Sequence, residues 1–202
     1  MYLSQLVLDL TDKGTMRVLS DVYRLHQFVM SGLSDYGHAS RILFRVEPEV
    51  KVGLVRILVQ SEMNPSWRNK ENNGKGIVRV QTKEFSPAFR EGALYRFRLR
   101  ANPVVTRDGK RYGLIRDDSL NGWLKKKEES VGVSYRSVLA VDEGYATGKR
   151  RKGERSDSIS IKMARFEGIL AVTDTVRLSN ALTNGVGPAK AFGCGLLSLA
   201  RA

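Results

Sequence analysis

Strands and helices succeed one another in the order β-α-β-β-α-β twice along this chain. That predicts an α+β protein of two tandem ferredoxin-like domains, residues 1–87 and 88–202. Three observations carry the prediction. Short runs alternate apolar with polar residues, as half-buried strands do. Between the first two of these runs, apolar residues recur at Val18, Val22, Leu25 and Val29, the spacing of one helix face. Near the middle, Ser86-Pro87 and Glu91-Gly92 interrupt both patterns.

Residues 2–10 set Leu6, Leu8 and Leu10 on alternate positions and read as the first strand, which Thr11-Asp12-Lys13-Gly14 breaks. Residues 15–33 read as one amphipathic helix, ended by Ser31-Gly32 and Ser34-Asp35-Tyr36-Gly37. Strands follow at 42–46 and 54–59, around Glu47-Pro48 and Gly53. The polar stretch 62–76, with Pro65 and Gly74, reads as a loop with room for a short helix, and 77–85 as the fourth strand. This is the ferredoxin-like order, shared with RRM-like RNA-recognition modules.

In the second half, residues 94–101 put Tyr95, Phe97 and Leu99 on one face and Arg96, Arg98 and Arg100 on the other. Three guanidiniums on one side of a strand repel one another unless solvent or an anion separates them. The face is therefore either a solvated edge or a phosphate-binding strand. Arg107-Asp108-Gly109-Lys110 is a hairpin turn. Residues 117–129 read as a helix carrying Leu120, Trp123 and Leu124; Lys125, Lys126 and Lys127 in its last turns suit a solvated face. Residues 131–141 form a strand. Residues 144–158 read as a loop holding Lys149, Arg150, Arg151, Lys152 and Arg155, too dense in charge to pack inward. It is either a charged tip or an arm that orders on RNA. Residues 158–164 and 166–172 then pair as a hairpin, and 174–183 form a helix capped by Asn184-Gly185.

The chain has 202 residues, 42% hydrophobic and 27% charged, the balance of a globular protein. Its 34 Lys and Arg exceed its 21 Asp and Glu, for a net charge of +13, so its partner is a polyanion. Apolar runs fall far short of the ~20 residues a membrane span needs, and no leader-like segment opens the chain; nucleic acid in the cytoplasm is expected, not a membrane. A lone cysteine, Cys194, rules out an internal disulfide framework, and with only His26 and His38 beside it a structural zinc site lacks ligands.

Residues 185–197 concentrate glycines at Gly185, Gly187, Gly193 and Gly195 around Lys190, just before an apolar run suited to a strand. A Walker loop would need Ser or Thr after the lysine, where Ala191 stands. A dinucleotide loop would need a third glycine where Lys190 or Ser198 stands, and a helix after it. What remains is either a tight turn or a loop whose amides lie against phosphates.

That segment, Gly185-Val186-Gly187-Pro188-Ala189-Lys190-Ala191-Phe192-Gly193-Cys194-Gly195-Leu196-Leu197-Ser198-Leu199-Ala200, resembles the glycine-rich signature of the CRISPR-associated repeat-RNA endonucleases, and within them the CasE branch, the crRNA-processing subunit of type I-E Cascade. Met1-Tyr2-Leu3-Ser4, Tyr23-Arg24-Leu25-His26, Phe97-Arg98-Leu99-Arg100-Ala101-Asn102-Pro103 and Phe166-Glu167-Gly168 follow the family's order, so the resemblance spans nearly the whole chain. It implies two ferredoxin-like domains, a CRISPR repeat hairpin as substrate, other Cascade subunits as partners, and DNA met only through the complex.

Tyr23 and His26 lie three residues apart, one turn of a helix, and flank its apolar stripe. An imidazole serves either proton role, and RNA carries its own nucleophile in the 2′-OH. No carboxylate cluster of the two-metal kind stands in the sequence, so no metal and no cofactor are expected. The resemblance implies metal-independent cleavage at the base of the hairpin, with His26 as acid or base and Tyr23 orienting the phosphate or 2′-OH. Ser31 completes the candidate catalytic set. Some relatives carry lysine there, and a hydroxyl cannot neutralise the charge of a phosphorane, so Lys190 or a loop arginine is the candidate cation. Arg96, Arg98, Arg100, the basic loop and the glycine-rich loop are the candidate RNA contacts. His38 is read as solvated. The competing reading is a non-catalytic tandem RNA-binding protein, which the absence of an RNP-type aromatic cluster around Gln81-Thr82-Lys83-Glu84-Phe85 disfavours.

Overall fold

Leu6 and Leu8 alternate with half-buried residues along β1 (Tyr2–Asp9), which lies inside an antiparallel sheet of order β2-β3-β1-β4. A computed structural model of the chain describes residues 1–33, 41–47, 52–67, 76–152 and 155–202. Strands β2 (Ile42–Val46), β3 (Leu54–Ser61) and β4 (Ile77–Glu84) complete the sheet. β1 pairs antiparallel with both β3 and β4, and β2 with β3. Helices α1 (Lys13–Leu19) and α2 (Val22–Ser31) precede β2. Leu25 and Val29 of α2 join Leu6, Leu8, Phe44 and Ile57 in one buried core. Trp67 closes it from beyond β3: its indole N–H donates to the Val29 carbonyl at 3.2 Å, and the Ser66 amide to the Gly32 carbonyl at 2.7 Å.

β5 (Leu94–Ala101), β8 (Val133–Lys152), β9 (Arg155–Val172) and β10 (Leu197–Arg201) form a second sheet, of order β10-β5-β9-β8. Helices α3 (Asp117–Lys125), α4 (Glu128–Val131) and α5 (Thr175–Asn184) supply Leu120, Leu124, Val131 and Leu178 to a core with Phe97, Leu99 and Phe166. A small hairpin, β6 (Val104–Arg107) and β7 (Lys110–Gly113), turns at Asp108-Gly109. Leaving that hairpin aside, each sheet repeats the ferredoxin-like order. The chain divides into two compact units. The first is Met1–Ser86 with Ala146–Ser160 and Ala191–Gly193; the second is Pro87–Tyr145 with Ile161–Lys190 and Cys194–Ala202. The first thus takes in the distal part of the β8–β9 ribbon and three residues of the glycine-rich loop, stretches that a division at 87/88 assigns to the second.

Four local expectations change. The helix expected over 15–33 is two helices, because Asp12 and Asp21 each cap a start: Asp12 accepts from the Thr15 amide at 2.7 Å, and Asp21 stands in extended backbone. The 117–129 helix is likewise split between Lys125 and Glu128. Most of the 144–158 stretch is strand, not loop: β8 runs to Lys152 and β9 starts at Arg155, since ladder pairing satisfies the backbone while the side chains of Lys149 and Arg150 face water. The hairpin expected at 158–172 is one strand, continuous through Arg165, which forms ion pairs with Glu143 and Glu167. Pro48, Gly74 and His38 lie outside the described residues.

Gly32 caps α2 against the Trp67 indole, and a Cβ there would stand 2.2–2.6 Å from indole atoms. Gly→Ala at a compatible site is normally neutral or stabilising. Here Gly32→Ala should destabilise by roughly 1–3 kcal/mol, the cost of overpacking, read as a lower urea midpoint.

Candidate active site

Helix α2 carries the site, and its start is set by one carboxylate. Asp21 Oδ1 accepts the amides of Tyr23 at 2.8 Å and Arg24 at 3.1 Å. Oδ2 accepts the Lys149 amide of β8 at 3.0 Å. Burial raises the Asp21 pKa, but the Arg24, Lys149 and Tyr23 amides and the Arg24 charge outweigh it and hold the carboxyl below its ordinary value. With Val22, Leu25 and Val29 turned into the core, Tyr23 and His26 are left flanking that stripe, half-buried. Their ring centroids are 6.4 Å apart at 41°.

A third ring completes the group. Phe192 meets His26 edge-on, centroids 6.2 Å apart at 62°. It sits in a single 3-10 turn, Lys190–Phe192, in the glycine-rich loop. His26 Nδ1 is buried and closes no hydrogen bond of normal geometry among the described residues. Burial pushes the His26 pKa below its ordinary value; the Ala191 backbone, close enough to favour the charged ring, opposes this and is outweighed. Sequence reasoning missed Phe192 and Asp21. Phe192 was readable as the one aromatic of the glycine-rich signature, and Asp21 as a helix N-cap.

The glycine-rich loop owes its composition to conformation. Gly185, Gly187, Gly193 and Gly195 all have positive φ. The Gly185 amide donates to the Ala181 carbonyl at 2.8 Å and the Gly195 amide to the Arg100 carbonyl at 2.7 Å, while the Gly195 carbonyl accepts from Val186 at 2.9 Å. Those two amides are therefore not free to cradle a phosphate, contrary to expectation. Cys194 is fully buried, and burial pushes its thiol up to about 12, so it is inert.

The remaining candidates divide. Ser31 Oγ donates to the Phe28 carbonyl of its own helix at 2.8 Å, which commits its proton. β5 is an interior strand, not a solvated edge. Arg98 pairs with Glu167 at 2.8 Å and Arg100 with Glu143 at 2.5 Å, so carboxylates of β8 and β9 separate the guanidiniums. Arg96 is exposed. Lys149 and Arg150 are exposed on β8; Arg151 and Lys152 continue that strand and Arg155 opens β9. Lys190 is half-buried beside Gly195.

Because the folded state holds His26 below the ~6.5 of an unfolded imidazole, the unfolded chain binds more protons at acid pH. The contribution of a neutral His26 is present above that value and lost as pH falls through the folded pKa. The stability of the wild type relative to His26→Ala should therefore fall between pH 7.5 and pH 5, measured by urea denaturation of both proteins.

A family described as CRISPR-associated protein matches residues 1–201. The chain is 32% identical to the CRISPR-associated endoribonuclease Cse3 of Thermus thermophilus, covering 99% of this chain and 100% of that one. It is 30% identical to the Cascade subunit CasE of Escherichia coli, covering 89% and 92%. Among solved structures, CRISPR endoribonuclease Cse3 bound to a 19-nucleotide RNA superposes with a TM-score of 0.86 at 31% identity, covering 99% of this chain and all of that one. The chain belongs to the Cse3/CasE family of CRISPR-associated endoribonucleases.

Proposed function

We propose that this chain cuts CRISPR repeat RNA at the base of its hairpin, without a metal ion, and keeps the product as a subunit of a Cascade complex, meeting DNA only through that complex. The observation that carries this reading is the group on α2: a histidine poised neutral by burial, a tyrosine one turn away, and Phe192 against the imidazole. Attack of the 2′-oxygen on phosphorus forms one P–O bond and breaks the bond to the 5′ oxygen, leaving a 2′,3′-cyclic phosphate and a 5′-OH. A neutral His26 takes the 2′-OH proton. With Nδ1 enclosed, that exchange falls to Nε2. The imidazolium so formed returns that proton, through water, to the departing 5′ oxygen, and Tyr23 orients the phosphate or the 2′-OH. Ser31 carries no charge, so Lys190 or a ribbon arginine offsets the negative charge of the phosphorane.

Lys149, Arg150, Arg151, Lys152 and Arg155 serve as backbone contacts, which hold RNA without reading its sequence. The wild type should cut a repeat hairpin in EDTA and leave a 2′-deoxy substitution at the scissile nucleotide intact; cleavage of the deoxy substrate would sink the mechanism. His26→Ala should slow single-turnover cleavage by ~10²–10⁴, with hairpin affinity within about threefold because phosphate contacts dominate it. The acid limb of the wild-type rate profile should have an apparent pKa below ~6.5. Tight binding with no cut by the wild type would mark an RNA-binding protein instead.

Replacing Lys149 and Arg150 together by Ala should weaken binding to related and unrelated hairpins alike. It should also flatten the slope of log K against log salt by roughly 0.7–0.9 for each phosphate that the protein no longer neutralises. An unchanged slope would make this part of the ribbon a solvated tip.

A further inference from the structure

The Asp21 carboxylate joins two parts of the first unit that lie 128 residues apart in sequence. Oδ1 holds the amides of Tyr23 and Arg24, and Oδ2 holds the amide of Lys149. The approach is close because residue 148 is glycine. A Cβ on Gly148 would stand 2.6 Å from Asp21 Oδ1 and 3.0 Å from the Tyr23 amide nitrogen. Gly148 is buried, whereas Lys149 and Arg150 beside it present their side chains to solvent. One stretch of β8 therefore offers cations outward and docks its backbone on the residue that starts the helix of Tyr23 and His26.

We propose that Asp21 is a positioning residue: through its two oxygens it couples the basic ribbon to helix α2, so that RNA gripped by Lys149 and Arg150 sets Tyr23 and His26 against the scissile phosphate. The inference rests on the RNA-cleaving function proposed above. A helix cap alone would need only Oδ1, and Asn serves a cap as well as Asp. The second oxygen, turned to a strand far along the chain, is what a cap does not require. Displacements of about 1 Å at a reacting group cost on the order of 10²-fold in rate, so a link that fixes the helix against bound RNA has a measurable effect.

Asp21→Asn separates the two roles. Its lone side-chain oxygen meets two helix amides on one side and one strand amide on the other, so it stays on the helix and turns its NH₂ toward the Lys149 N–H. Asp21→Ala removes both roles. In the full-length protein, Asp21→Asn should melt near the wild-type temperature while the Lys149 amide exchanges at least about tenfold faster. Single-turnover cleavage at saturating protein should fall by at least about tenfold in both variants, with affinity for the uncleavable 2′-deoxy hairpin within about threefold of wild type. Hairpin binding should raise the exchange protection of α2 amides in the wild type and not in Asp21→Asn. That readout needs no cleavage and separates failure of the coupling from failure of the proposed activity. A released Lys149 amide with wild-type cleavage in Asp21→Asn, or a rate loss confined to Asp21→Ala, would overturn the coupling and reduce Asp21 to a cap.

Discussion

The site depends first on the burial of one stripe of helix α2. Leu25 and Val29 face the same core as Leu6, Leu8 and Phe44, with Val22 buried beside them on the stripe, and covering such side chains is worth roughly 1.5–3 kcal/mol each. That burial fixes the rotation of the helix about its axis. Tyr23 and His26 then have one place to go, the margin of the stripe, where each ring is half-covered. The covering that lowers the pKa of His26 is thus a by-product of core packing. No charged neighbour is required, since desolvation alone disfavours the imidazolium. Rotation and start are set by different forces: apolar burial fixes the first, and the Asp21 carboxylate, filling two vacant amide positions of the first turn, fixes the second.

Most of the fold was legible because sheets with one covered face write their pattern into the sequence. β5 falls where alternation puts it, β2 ends just before its flanking Glu47, and the turn between β6 and β7 falls at Asp108-Gly109. The errors share a cause, which is that local signals were weighed without their partners. The polar ribbon of β8 and β9 has little apolar alternation, and only the neighbouring strand makes it a strand. The break between α1 and α2 was visible as Asp21, an N-cap signal, but the apolar spacing across it continues as if uninterrupted. Arg98 and Arg100 looked like free cations because Glu143 and Glu167 are 43 and more residues away in sequence.

The glycine-rich loop is instructive in another way. Its glycines pointed to phosphate binding, and the loop does contribute to the candidate site, though through Phe192, a side chain. The amides of Gly185, Val186 and Gly195 are committed to main-chain partners, and its left-handed residues serve to shape the path. Glycine enrichment alone does not separate a loop that binds with its backbone from one that bends to deliver a neighbour. The free N–H groups decide, and they are a property of the fold.

The arginines of β5 bear on how this strongly basic chain meets its substrate. Arg98, Arg100 and Arg165 share Glu143 and Glu167 in a continuous lattice, three positive groups against two negative. At a distance such a lattice carries little more than one charge, so it adds far less to the long-range field than its arginine count implies. The pull on an approaching polyanion comes disproportionately from cations without close carboxylates. On this view the protein is zoned: one sheet face is electrostatically quiet, with its charge spent on internal order. Capture of RNA, and its sensitivity to ionic strength, then rests on the basic residues outside that lattice.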